Sequence, residues 1–172
     1  MKKKLVEYLE KIDRKAHRMK QLTDHLFEYA LVSGGKEVEL EKPENCEVIF
    51  YDLFSETCSY LAQNGFEVDF KVAWSEKYIQ VYTEYIVRIL DNISSNLIKY
   101  ADPHSPVKIS SVCAEGLIGF RFENEEALQQ EKKDSNGVGL QSIKNMMKKM
   151  GGQSRVLRDH GKFAIEIVFP CK

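Results

Sequence analysis

The sequence has no apolar run approaching the roughly 20 residues that span a bilayer, and no leader pattern at its start. It carries almost no net charge. The formal value is −1, which argues against a general nucleic-acid or anionic-membrane binder, since such proteins are normally basic; the one local basic cluster is Lys2, Lys3 and Lys4. Cysteine is sparse. Cys46, Cys58, Cys113 and Cys171 are scattered without C-x-x-C spacing, which excludes a thiolate metal motif and reads as reduced thiols of a cytosolic domain. Internal repeats and low-complexity segments are lacking too. What remains is 172 residues with an ordinary soluble balance, 43% hydrophobic and 30% charged, enough for one globular domain and a short appendage.

The appendage comes first. Leu5, Leu9, Ile12, Ala16, Met19, Thr23, Leu26 and Ala30 recur at alternating spacings of four and three. This predicts one helix over residues 4–32 whose apolar stripe is the seam of a coiled coil or bundle. Ser33, Gly34 and Gly35 end it. The rest mixes strands and helices. Short strands are expected at 37–40, 66–72 and 78–82, and helices at 47–64 and 83–100, the second with Thr83 as N-cap. Strands at 107–113 and 117–123, an exposed polar loop at 125–136, a helix at 138–150 and a final hairpin of 153–157 with 163–169 follow. That order predicts an α/β (α+β) two-layer sandwich: a mixed, mostly antiparallel sheet with helices on one face, preceded by the long helix.

Three segments carry chemistry. In RILDNISSNLIKYADP, from Arg88 to Pro103, Asn92, Asn96, Lys99 and Tyr100 share one helix side. An amide oxygen is a hard ligand suited to magnesium, a lysine offers charge to phosphates, and a ring can lie against a base or sugar. A solvated polar helix face accounts for this segment equally well. In SNGVGLQSIKNMMKKMGG, from Ser135 to Gly152, Gly137 and Gly139 stand just before a helix, where bare backbone N–H groups can approach phosphate oxygens. Asn124 leaves the strand FRFEN as a turn residue or as a partner for a purine edge.

These segments resemble the N box and the G2 box of sensor histidine kinases, and EYLEKIDRKAHRMKQLTDHLFEYALVSGG resembles the second helix of that family's dimerisation and histidine-phosphotransfer domain. The resemblance covers nearly the whole chain. It implies residues 1–34 as a partial dimerisation helix and 35–172 as a catalytic ATP-binding domain of the Bergerat fold, in the GHKL superfamily. It implies Asn96 as the magnesium ligand, Asn92 as the other N-box asparagine, Lys99 as a phosphate contact and Tyr100 as a wall near the nucleotide. Gly137, Val138, Gly139 and Leu140 match the phosphate-cradling segment. Asn92 stands where hydrolytic relatives carry a glutamate base; an amide cannot take a proton from water, so strong ATP hydrolysis is not expected. The family's Asp-x-Gly-x-Gly box is replaced by ENEEA, with Asn124 at the adenine-binding aspartate position. Asparagine there can still accept a hydrogen bond, without the charge. Lys132 and Lys133 lie in the short loop expected to cover the nucleotide.

The resemblance also implies ATP and Mg2+ as ligands, a phosphoacceptor helix and a response regulator as partners, a homodimer through the N-terminal helix, and a cytoplasmic site in a parent protein whose membrane anchoring is left open. No phosphoacceptor is expected in this chain. His17 and His25 lack the following acidic residue and fall in the second helix, and His104 and His160 fall in loops. The first dimerisation helix would precede Met1, and the chain alone is not expected to autophosphorylate. The implied activity is transfer of the γ-phosphoryl of Mg-ATP to a histidine outside the chain. A degenerate nucleotide-binding or scaffold module, or a helical interaction domain whose glycines only cap a helix, would instead lack transfer.

Overall fold

The structure, a computed structural model, describes residues 2–33, 38–127 and 138–172. The chain forms two compact units, Met1–Lys36 and Glu37–Lys172. The first is one helix, α1 (Lys2–Ser33). All eight seam residues from Leu5 to Ala30 are exposed on the single chain. The side chains of His17 and His25 lie outside those described.

In the second unit the elements run β1 (Glu44–Asn45), α2 (Cys46–Gln63), β2 (Val68–Lys71), β3 (Tyr78–Ile79), α3 (Thr83–Tyr100), β4 (Val107–Ala114), β5 (Leu117–Glu125), α4 (Val138–Lys149), β6 (Gln153–Asp159) and β7 (Lys162–Pro170). Five strands form one sheet in the order β2-β4-β5-β7-β6, and β1 pairs with β3 in a separate ribbon. Within the sheet only β2 and β4 are parallel, so the expected mixed, mostly antiparallel sheet is what forms.

Alternation along the strands sorts the faces. Ile118, Phe120, Phe122 and Asn124 of β5 are buried, in register with Phe169, Ile167, Ile165 and Phe163 of β7. Against this face α2 sets Phe50 and Phe54, with ring centroids 4.6 and 4.7 Å from Phe120. Helix α3 packs against both α2 and α4 and buries Ile86, Ile89, Leu90, Ile93 and Leu97 at 3% exposure or less. Each such side chain stabilises by about 1.5–3 kcal/mol relative to exposure, so this stripe holds α3 in the core. The opposite face is polar: Arg121 bridges Glu123 and Glu166, both at 2.8 Å. The two carboxylates raise the Arg121 guanidinium above its usual range, and the guanidinium in turn lowers the Glu123 carboxyl.

Three expectations are corrected. Val38–Leu40 is not a strand; the first strand is Glu44–Asn45, beyond Pro43, where the chain can pair with β3. Glu37 lies outside the described residues. Thr83 is the first helical residue of α3 rather than its cap. The cap position is Tyr82, whose side chain makes no capping bond, and the capping function comes from elsewhere in the chain. Finally, β5 runs on through Glu125, because β7 supplies a partner strand to that point; residues 128–137 of the expected loop lie outside the described ones. The four cysteines are free thiols, as read from their spacing.

Candidate nucleotide site

The site is built where the second half of α3 meets the start of α4. The buried stripe of α3 fixes its rotation, and the residues between those of the stripe are forced to its rim. Asn92, Asn96 and Tyr100 are half-buried there and Lys99 is exposed. The two helices run antiparallel: Asn96 lies beside Gly139 at one end, and Tyr82 N–H donates to Met150 Sδ at 3.4 Å at the other.

Gly139 stands against Asn96. A Cβ added to it would stand 3.8 Å from Asn96 Nδ2 and 4.0 Å from Asn96 Oδ1. The absent side chain thus leaves a space of methyl size directly against the Asn96 amide. Val138, Gly139 and Leu140 make the first turn of α4, where helix N–H groups lack intrahelical acceptors and the helix dipole favours negative charge. An amide oxygen and a bare helix start facing one another suit a cation bound to an anion. Gly137, Lys132 and Lys133 lie outside the described residues.

The exit of β5 is tied to the end of α3. Asp102 N–H donates to Glu125 O at 2.8 Å, Ala127 N–H to Tyr100 O at 3.1 Å, and Ala101 bridges Glu126. On its other side Glu126 N–H donates to Gly161 O at 2.7 Å, in a tight turn where His160 and Gly161 take φ of 44° and 78°, the left-handed pair of a two-residue hairpin. This strap brings Asn124 to the end of the helix that carries Asn92 and Asn96, although the segments are distant in sequence.

Asn124 is 4% exposed. Its Nδ2 donates to Glu125 O at 2.9 Å, which fixes the amide orientation, and its Oδ1 is buried with no hydrogen-bond partner among the described residues. A buried acceptor left unmade costs about 1–3 kcal/mol, which a donor group on a ligand would relieve. This is the chemistry an exocyclic amino group supplies, and the asparagine offers it without a carboxylate's charge. Among the predicted residues the structure therefore brings together Asn96, Gly139 and their helix neighbours, and sets Asn124 at the end of α3. The strap through Ala101, Glu126 and Ala127 was not legible beforehand, because main-chain hydrogen bonds leave no side-chain signature.

No family model matches the chain. Over 155 residues it is 37% identical to "Sensor histidine kinase YrkQ" of Bacillus subtilis (strain 168), covering 90% of this chain and 36% of that protein. The chain thus spans about a third of the length of the curated relative it matches. Among solved structures it is similar to full-length ShkA in complex with AMPPNP, with a TM-score of 0.71 and 19% identity over 91% of this chain and 36% of that one. It is also similar to the Acinetobacter baumannii histidine kinase AdeS, at 0.68 and 14% over 94% of this chain and 81% of that one. At those identities the structural likeness shows the fold.

Proposed function

We propose, for a chain that is a homologue of sensor histidine kinases, that residues 35–172 form an ATP-binding catalytic domain which transfers the γ-phosphoryl group of Mg-ATP to a histidine outside this chain. The observation that carries the reading is the Asn96 amide set against the bare Gly139 at the start of α4. Asn96 would hold the magnesium ion through its amide oxygen, with Asn92 one turn away on the same helix. The α4 start, from Gly137 to Leu140, would take phosphate oxygens on backbone N–H groups, with Lys99 adding positive charge. Tyr100 would flank the base or sugar, and Asn124 Oδ1 would accept a hydrogen bond from the base. In the transfer a P–O bond to the departing ADP breaks and a P–N bond to the acceptor imidazole forms. The protein's part is positioning and charge neutralisation. The amide at Asn92 leaves no base to activate water, so transfer is favoured over hydrolysis.

The exposed stripe of α1 is the surface through which the chain would pair with another helix and form a homodimer. A phosphoacceptor helix and a response regulator complete the proposed set of partners. Among the described residues no helix is long and apolar enough to cross a membrane; the reading places this domain in the cytoplasm, whether or not the parent protein is anchored.

The test is calorimetric titration with Mg-ADP and with a non-hydrolysable ATP analogue. Micromolar to sub-millimolar binding is expected, weakened at least about tenfold in Asn96→Ala, which is about 1.4 kcal/mol, with an unchanged melting temperature. Absence of binding by the wild-type chain would overturn the reading. Adding a phosphoacceptor helix in trans with ATP should then yield phosphohistidine on that helix.

A further inference from the structure

Helix α3 begins without a cap of its own. Tyr82, at the cap position, makes no side-chain capping bond, and the first turn closes only with Tyr85 N–H and Ile86 N–H on Tyr82 O, at 2.9 and 3.3 Å. The missing acceptor comes from 42 residues upstream. Glu41 Oε1 accepts from Thr83 N–H at 2.9 Å and Glu41 Oε2 from Thr83 Oγ at 2.8 Å. Glu41's own N–H donates to Val81 O at 2.9 Å. One residue thus holds the entry to α3 by three bonds, one through its main chain and two through its carboxylate. A carboxylate at a helix start also gains from the dipole.

Glu41 lies outside any helix or strand, in the stretch Val38–Pro43 that leads into β1. It therefore ties the chain entering this unit to the helix that carries Asn92 and Asn96. Thr83 and Asn96 are separated along α3 by about 20 Å at 1.5 Å per residue. Over that length a helix packed on both sides shifts as a body, since interiors repack in discrete steps rather than deform smoothly. Freeing the α3 start would let the helix slide or rotate against α4, and the place where that changes chemistry is the Asn96–Gly139 approach.

We infer that Glu41 is a positioning residue for the nucleotide site: through Thr83 it sets the register of α3 against α4, and with it the competent arrangement of Asn96 and Gly139. The inference rests on the nucleotide reading above. Loss of the clamp lowers the fraction of molecules in the binding-competent arrangement, and apparent affinity falls with that fraction.

The experiment compares Mg-ADP affinity and melting temperature in the whole chain for wild type, Glu41→Ala, Glu41→Gln and Asn45→Ala. Asn45 is the matched control, a local cap whose Oδ1 accepts from Glu47 N–H at 2.8 Å at the start of α2, with no bond to α3 among those of the described residues. Glu41→Ala should bind Mg-ADP measurably more weakly, by up to about fivefold, the ceiling set by losing a helix cap, and Glu41→Gln should recover part of it. Asn45→Ala should lower the melting temperature by a similar amount and bind as wild type does. Should Glu41→Ala fail to fold, Thr83→Val removes one of the two carboxylate bonds, keeps the other, and should show a smaller loss of the same kind. Wild-type affinity in Glu41→Ala or Thr83→Val with a lowered melting temperature would reduce Glu41 to a structural cap and overturn the inference. If wild type itself does not bind Mg-ADP, the nucleotide reading fails and this inference falls with it; the wild-type titration separates the two failures.

Discussion

Helices α1 and α3 carry the same kind of pattern, an apolar residue every three or four positions, and meet opposite fates. In α3, Ile89, Ile93 and Leu97 are 0–2% exposed, on a helix that packs against α2 and α4. In α1, Leu5, Leu9, Ile12, Met19 and Leu26 are 57–70% exposed on the single chain. Periodicity reports that a face is apolar and continuous; it does not report where the covering surface comes from. For α3 that surface lies within the same unit, and for α1 the proposed surface is a second helix. The seam spacing of α1 suits a coiled coil, whereas the stripe of α3 is wider and includes Tyr85, Ile86 and Leu90, as expected of a helix laid on a sheet.

The contrast can be pressed hardest at Leu97. Leu97→Ala should destabilise the second unit by about 2–5 kcal/mol, the cost of a large-to-small change in a closed core, read as a lower denaturant midpoint. The matching change Leu9→Ala in α1 should leave that midpoint within about 0.5 kcal/mol, as an exposed substitution does, and should instead reduce self-association at high protein concentration in sedimentation. A loss of several kcal/mol in unfolding for Leu9→Ala at dilution would erase the distinction between the two stripes.

The cysteines repeat the contrast more gently. Cys46 is fully buried and Cys113 exposed. Burial first, then neighbouring Cys171, Cys113 and Glu47, push the Cys46 thiol up to about 12. The folded state therefore prefers the neutral thiol. Its contribution is complete below the unfolded thiol's range, near 8.5, and is lost as pH rises toward 12, because only the unfolded chain then gains by ionising. Wild type should lose stability between pH 8.5 and 11 more steeply than Cys46→Ala, the smallest of these effects. At pH 8 an alkylating reagent should modify Cys113 and leave Cys46 untouched in the folded protein.

Much of this was legible in the sequence. The α2 cap is local, Asn45 sitting two residues before the N–H it accepts, although from the sequence only Thr83 was expected as a cap. The α3 cap is not, since Glu41 reaches Thr83 across 42 residues and nothing in its neighbourhood marks it. Thr83 looks like a cap because threonine usually is one; its hydroxyl donates to a carboxylate instead. The strand expected at 37–40 failed for a related reason. Alternating Val38 and Leu40 satisfy the pattern, yet a strand also needs a partner edge, and β3 offers its edge to Glu44–Asn45. In the site, Asn92, Asn96, Lys99 and Tyr100 could be grouped in advance because helix geometry alone puts them on one side. Asn124 could be aligned but not located.

By itself the sequence determined most of the elements and the apolar stripe of α3, because these depend on neighbours within a few residues, where backbone geometry leaves little freedom. Only the tertiary structure decided which amide meets which glycine, that Asn124 Oδ1 is buried without a partner among the described residues, and that Glu41 holds the start of α3. Those depend on pairings across tens of residues. Each is set by the packing of three helices on a five-stranded sheet, and no local spacing encodes it.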